Sequence, residues 1–276
     1  MKYKVGLLAL AGMLLTASTG FAAIQYYTLQ NEKGETVYEE KNAQDFPERP
    51  QVTEEEYKRV HISNKVWTDE IGPGEAAAIY VVPHNPDQKI DIRANPLDVN
   101  NLADLRSMIK DPSVTIPDEL TGSYTFETGS IQMFMQNDIT PLTEEERTTI
   151  AKQLHEEAVA SGKDYATMPV PLADTFWRVT STYKKGDLGV DLRVVNLGPD
   201  GTLTTYWNDE TQVTKKKLNI NQVEVIQTNW LSSNSVSLDW VAELPDGTRH
   251  AYTLATLDQQ VTEDELIQIA EAYIRK

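Results

Sequence analysis

The sequence predicts an α+β fold, an antiparallel sheet with helices packed on it, and three observations predict it. From Thr175 onward, short runs of strand-forming residues recur at even spacing, separated by Gly186, Pro199-Asp200-Gly201 and Pro245-Asp246-Gly247 turns. Three Thr-Glu-Glu/Asp-Glu segments, at Thr53, Thr143 and Thr262, have the spacing of helix-opening capping boxes. The helix behind the last box carries Leu266, Ile269, Ala270, Tyr273 and Ile274 along one apolar face, which a sheet most simply covers.

The elements follow in chain order. Lys2 and Lys4 precede an apolar run from Val5 to Leu15. Thr16, Ser18 and Thr19 dilute it, and Gly20-Phe21-Ala22 supplies small residues for cleavage. This is the layout of a secretory signal peptide over 1–22, with an uncleaved anchor as the alternative. The run is shorter than the ~20 residues of a spanning helix. The expected location is secreted or extracytoplasmic.

Residues 24–110 read as an N-terminal α+β region. Ile24–Leu29 and Thr36–Glu39 flank a Glu32-Lys33-Gly34-Glu35 turn, a hairpin signal. Asn42–Gln51, with Pro47 and Pro50, reads as a loop. A short helix runs from Thr53 to about Val60. Ala76–Val82 is an apolar run read as a buried strand, with Asp87–Ile92 as its partner. Asp98–Ile109 has apolar residues at helical spacing. Asp111-Pro112 reads as a boundary.

Residues 112–276 read as a sheet domain with a terminal helix. Strands are expected at Val114–Ile116, Gly122–Phe126 and Ile131–Met135. A helix is expected from Glu144 to about Ser161, with Ile150, Leu154 and Ala158 inward and Gly162 as its stop. Seven strands follow: 176–183, 189–196, 203–207, 213–218, 223–230, 236–243 and 250–255. Short links between them argue for a meander.

Composition narrows the function. The 276 residues carry a formal charge of −17. The first 22 hold two lysines and no carboxylate, so a chain starting after Ala22 carries −19. Such a surface repels nucleic acid and anionic lipid. There is no cysteine, hence no disulfide and no lipobox. An ordinary hydrophobic core has to hold the fold.

No catalytic constellation is legible. His61, His84, His155 and His250 stand in dissimilar contexts, and no Ser lies in a Gly-x-Ser-x-Gly elbow. His155-Glu156-Glu157 resembles half of a zinc-protease helix, but Val159 stands where the second His belongs. Asn208-Asp209-Glu210 and Asp187–Asp191 lack the order of a calcium loop. No enzyme activity, metal or cofactor is expected. Trp177, Trp207, Trp230 and Trp240 fall on expected strands and are candidate ligand-binding residues, with core packing as the competing reading. Adjacent Phe176 and Trp177 face opposite sides of a strand.

Ile116-Pro117-Asp118-Glu119-Leu120-Thr121-Gly122-Ser123-Tyr124-Thr125-Phe126 resembles the P-x-x-L-P-x-G-Y-x-F opening of an uncharacterised Gram-positive extracytoplasmic domain family. The close, Val236–Trp240, Tyr252-Thr253-Leu254 and Glu263–Glu271, is similar to that family's Trp strand, Tyr-x-Leu strand and terminal helix. Ser123, Thr121 and Asn221-Gln222 depart from its pattern at turns. The resemblance covers about 112–276. It implies a curved sheet like that of lipoprotein carriers, in anti-sigma-factor-like and sporulation-associated proteins. It implies no catalytic residue.

Two functions are therefore expected to compete. One is a non-enzymatic extracytoplasmic sensor or interaction module in envelope or sporulation signalling, binding a protein or peptide partner at a sheet edge or groove. The other is a carrier for an apolar small molecule in the curve of the sheet. A hydrolase would need a buried His or carboxylate cluster in a cleft.

Overall fold

The computed structural model describes residues 25–46, 52–208, 211–257 and 259–274. The expected signal peptide lies outside them. The architecture is α+β, with five helices and three sheets among the described residues.

The chain opens with the hairpin β1 (Thr28–Gln30) and β2 (Thr36–Asn42). Gly34 takes φ +81°, and the Asn31 side chain accepts the Lys33 and Glu35 amides to close the turn. Helix α1 (Glu54–Glu70) starts where Thr53 Oγ1 accepts the Glu56 amide. It leads into β3 (Ala76–Val81), β4 (Ile90–Ala94) and β5 (Leu97–Val99). Helix α2 (Leu102–Ile109) is capped by Asn101 and stops at Lys110, which takes φ +56°. Then come β6 (Glu119–Leu120), β7 (Tyr124–Met135), the single turn α3 (Gln136–Ile139), and α4 (Glu144–Ser161), capped by Thr143 and ended by Gly162. The remainder is β8 (Tyr165–Pro169), β9 (Leu172–Lys185), β10 (Leu188–Pro199), β11 (Leu203–Trp207), β12 (Val213–Ile220), β13 (Val223–Trp230), β14 (Ser235–Glu243), β15 (Thr248–Thr256) and α5 (Glu263–Ile274).

The main sheet has nine strands and does not close into a barrel. Its order is β12-β13-β14-β15-β10-β9-β7-β5, with β6 paired to β7, and its pairings are antiparallel. Helices α2 and α5 cover one face. Leu105 and Ile109 of α2, and Leu266, Ile269 and Ala270 of α5, join Leu192, Val194, Leu238, Trp240, Tyr252 and Leu254 in one core. Gly129 of β7 permits this close approach, since a Cβ there would lie 2.5 Å from Leu105 Cδ2.

The sheet of β4-β3-β8 is small and covered on both sides. Ala78 and Tyr80 of β3 pack on Ala151, Leu154 and Ala158 of α4, while Ile79 and Val81 pack on Val66 of α1. That two-sided cover is why Ala76–Val81 reads as an unbroken apolar run. The third sheet, β1-β2-β11, lies over Ile226 and Val241 on the face of the main sheet away from α5.

Several expectations are corrected. Leu203–Trp207 is a strand but leaves the meander and pairs with β2 in parallel, so β15 rather than β11 sits beside β10. Val114–Ile116 is a loop. Its Val114 and Ile116 are buried as core plugs, and Arg106 Nε donates to the Ile116 carbonyl. Gly122–Phe126 and Ile131–Met135 belong to one long strand, β7. Helix α1 runs ten residues past Val60, its continuation packing Ile62, Val66 and Trp67 against Ile79 and Val81 of β3. Arg59 is buried against Glu56 and Asp91. Strand β8 was not expected. The segments on either side of Asp111 interleave: β5 pairs β7, β3 pairs β8, and β2 pairs β11.

Candidate functional site

A fork opens inside the nine-stranded sheet. β9 pairs β10 from Lys185 to Arg178, and there the pairing stops. β10 continues against β15 as far as Pro199 opposite Thr248. β9 continues against β7 to Phe176 opposite Met133 and, after a second irregularity that leaves 173–175 without a register partner, to Leu172 opposite Met135. Each arm carries a bulge at the split. Trp177 is skipped between the Phe176–Met133 and Arg178–Gln132 pairs, and Leu197 between the Asn196–His250 and Gly198–Arg249 pairs. An extra residue bends its strand and increases local twist, which steers the two arms apart. Among the described residues, no strand pairs with 172–177 on the β10 side.

A cleft of about 520 Å³ occupies the mouth of this fork. That volume lies within the usual range for ligand sites. One wall is Asp174-Thr175-Phe176 of β9, and the other is the β14–β15 turn, Leu244–Asp246, with Thr248. The loop after α2, Lys110–Ser113, forms the roof. The turn wall is well built: Leu244 N donates to Thr248 O at 2.8 Å, and the Asp246 carboxylate accepts the Thr248 amide at 2.9 Å. That amide holds the Asp246 carboxyl below its usual pKa. The roof is tied to β9 by Lys110 Nζ, 2.7 Å from Asp174 Oδ1, and this hydrogen bond lowers the Asp174 pKa.

His250 lies behind the roof, fully buried, with its ring 5.6 Å from Phe176. Neither ring nitrogen has a hydrogen-bond partner, and Nε2 lies 3.4 Å from Asp111 Oδ2 without bonding geometry. Burial pushes the imidazole pKa down, against the opposing pull of Asp111 and Asp246. An unpartnered buried polar group of this kind costs about 1–3 kcal/mol.

Asp111, His250 and Ser113 meet here, but in an order that does not relay protons from a nucleophile to a base. Ser113 Oγ donates to Asp111 Oδ1 at 2.6 Å, and the imidazole faces the other carboxylate oxygen. A serine nucleophile needs its base in contact with its own hydroxyl and the carboxylate behind that base. Here Asp111 closes a local turn, accepting also the Ser113 amide at 2.9 Å. The three groups therefore do not form an acyl-transfer relay.

The four candidate tryptophans do not converge. Trp177 is the bulge residue, 37% exposed, with Arg178 Cζ 5.0 Å from its ring. Its neighbour Phe176 is buried on the other side, as adjacent strand residues should be. Trp240 is in the core under α5, stacked on Tyr252 at 5.2 Å and 6.1 Å from Tyr273. Trp207 and Trp230 do meet, at 5.3 Å, between the first hairpin's sheet and the main sheet.

Around that pair lies a buried ionic cluster that the sequence did not reveal. Glu40 accepts Lys215 Nζ at 2.9 Å, the Tyr27 amide at 3.0 Å and the Tyr38 hydroxyl at 3.1 Å. The Lys215 and Glu40 side chains are 2% and 0% exposed. Lys215 Nζ sits 3.6 Å from the centre of the Trp207 ring. Asp239 of β14 faces the same space, accepting Thr253 Oγ1 at 2.7 Å and Ser237 Oγ at 3.3 Å. Burial pushes its pKa up to about 6, and the Glu40 charge adds to this, while Arg193 and the two hydroxyls oppose it. The Glu40–Lys215 pair is hydrogen-bonded and pins one sheet to the other, while the Trp207 Nε1 beside it is buried without a partner.

The remaining sequence candidates stand apart. His155 lies edge-on to Tyr80 at 5.6 Å with its Nδ1 buried and unpartnered. Asp191 accepts Thr182 Oγ1 at 2.6 Å. Asp209 and Glu210 lie outside the described residues. Among the described residues no three His, Asp or Glu side chains are grouped to hold a metal, and no helix is long and apolar enough to cross a membrane.

No family model matches the chain, no curated protein matches it, and no solved structure matches it.

Proposed function

We propose that this chain is an extracytoplasmic, non-enzymatic recognition module that takes an extended segment of a partner protein by strand addition at the fork. The observation that carries the reading is the open edge of β9 at 172–177, inside the sheet and beside a walled cleft. An unpaired strand edge offers backbone donors and acceptors in a row, and an added strand satisfies them while the adjoining cleft selects side chains. The apolar start of the chain supports export, and the resemblance of 112–276 supports a role in envelope or sporulation signalling. The carrier reading is not favoured, because the four tryptophans share no single cavity: Trp240 packs on Tyr252 and Tyr273, Trp207 and Trp230 pack on each other, and Trp177 is exposed.

The test is panning of displayed extended decapeptides against the folded protein, followed by amide hydrogen exchange on the complexes. Strand addition protects the amides of 172–177. Selected peptides that protect other segments, or none, overturn the reading. Cell fractionation with N-terminal sequencing checks the export step, and an intracellular protein beginning at Met1 would refute it.

A further inference from the structure

We infer that the layer of β1, β2 and β11 is an acid-closed strap, docked on the main sheet while the Asp239 carboxyl is protonated and opening locally as that carboxyl ionises. β1 and β2 form a hairpin that is marginal alone, and the main sheet covers its apolar face. Leu29, Val37 and Tyr38 pack there on Ile226, with Tyr27, Leu203 and Val241 at the margin. The contact is small, so a charge placed in it weighs heavily. Three charged groups meet beside it. Glu40 of β2 pairs with Lys215 of β12 at 2.9 Å, which leaves Asp239 of β14 without a cation. The hydrogen bonds to Asp239 come from Thr253 Oγ1 and Ser237 Oγ, both on the main sheet. Among the described residues, no lysine, arginine or histidine lies within ion-pair distance of it. Ionised Asp239 thus sets a second negative charge near Glu40, with one ammonium for both.

The surrounding groups leave Asp239 as the one that responds. Tyr27 and Tyr38 face the same space from the hairpin, and burial, with the Glu40 charge behind it, pushes both phenols up, so they stay neutral. Burial pulls the Lys215 ammonium down, against its bond to Glu40. Arg193 of β10 acts on Asp239 from beyond ion-pair distance. β11, β13 and β15 contribute Thr205, Ile226 and Thr253, which carry no charge. Burial, with Glu40 adding to it, raises the Asp239 pKa from 3.8 to about 6. An acid raised in this way favours the docked form while protonated, so closure is complete below about pH 4 and weakens as pH climbs through about 6. The tip of the layer does not follow. Lys33, Asn31 and Arg249 hold the Glu243 carboxyl down to about 2, and Arg249 also reaches Glu35. That end keeps its ties to β14 and β15 over the same range, which makes the opening local.

The experiment is amide hydrogen exchange of the purified protein at about pH 5 and about pH 7.5, corrected for intrinsic exchange rates. At both values the amides of Thr36–Asn42 and Leu203–Trp207 should exchange through openings more frequent than those of β9 and β10. Linkage raises the layer's opening constant by up to about tenfold between the two values, a ceiling because Asp239 keeps partial solvent contact. Asp239→Asn should abolish this step. Thr253→Val removes a hydrogen bond that favours the ionised form, so it should move the upper end of the step above about pH 6, and it serves as the test if the first variant misfolds. A layer that opens only as often as β9 and β10 overturns the strap, because the carboxyl then acts on global unfolding alone. An opening constant that is the same at both values overturns it as well. A step that survives Asp239→Asn, or one that Thr253→Val leaves in place, overturns Asp239 as its cause.

Discussion

Asp239→Asn should stabilise this protein at neutral pH and leave it unchanged in acid. The Asp239 carboxyl is set among protein groups facing the β1-β2-β11 sheet, with Glu40 on β2, Lys215 on β12 and Arg193 on β10 as the charges around it. Its pKa rises from 3.8 to about 6, chiefly through burial. An acid whose folded pKa is raised favours folding while protonated. That contribution is complete below about pH 4 and is lost as pH climbs through about 6. At ~1.4 kcal/mol per pKa unit, ionisation costs about 3 kcal/mol above pH 7. The residue keeps partial solvent contact, which makes this figure a ceiling. Asparagine retains the shape, can accept from Thr253 and donate to Ser237, and does not titrate. Urea unfolding of both proteins at about pH 4, 5, 6 and 7.5 follows the effect, because titrating groups that do not interact with Asp239 cancel in the difference. The expected difference grows from near zero at pH 4 to between about 1 and 3 kcal/mol in favour of the variant at pH 7.5. In a chain of this size that is a rise in Tm of about 2–4 °C per kcal/mol. A difference that does not vary with pH, or one favouring the natural residue above pH 6, refutes the buried-carboxylate argument.

Lys215→Met leaves the Glu40 charge buried without its cation and should cost about 3–5 kcal/mol, measured by urea unfolding. Combining it with Glu40→Gln should recover most of that loss, and a double variant as unstable as the single one would show that the pair's charge is not the cause. Gly129→Ala drives a methyl into Leu105, which is fully buried between α2 and β7, and should cost about 1–3 kcal/mol by thermal melting. Thr143→Ala removes the Oγ1 that accepts the Glu146 amide and should cost about 0.5–2 kcal/mol, with increased amide exchange in the first turn of α4.

Local chemistry was legible wherever one residue or one period decides the outcome. The three Thr caps hold their helices, with Thr53, Thr143 and Thr262 each accepting the amide three residues on. The apolar stripe of the terminal helix packs as expected, with Leu266, Ile269 and Ala270 buried. The run at Ala76–Val81 is a strand covered on both faces. Where the expectation failed, a contact distant in sequence was responsible. Helix α1 outruns the expected end at Val60 because Ile62, Val66 and Trp67 find their packing partners, Ile79 and Val81, on a strand further along the chain. Leu203–Trp207 has strand composition, but composition does not say which edge it joins, and that edge is β2, more than 150 residues back.

The site was the least legible part for the same reason. Its parts, Asp111, Asp174-Phe176, Asp246 and His250, come from a loop, a strand and a hairpin with ordinary turn and strand composition. Tryptophan content pointed to the sheet but not to a groove, since period 2 fixes only which face of a strand a side chain takes. By itself, then, the sequence determined the α+β class, the three capped helix starts, most of the strands of the last third, and the cysteine-free acidic composition. These follow from periodicity, caps and charge, which act within a few residues. Only the tertiary structure decided the strand order, the fork at Trp177 and Leu197, and the burial of Glu40 and Lys215 as a pair. Each depends on which distant segment supplies the hydrogen bonds or counter-charge that make burial tolerable.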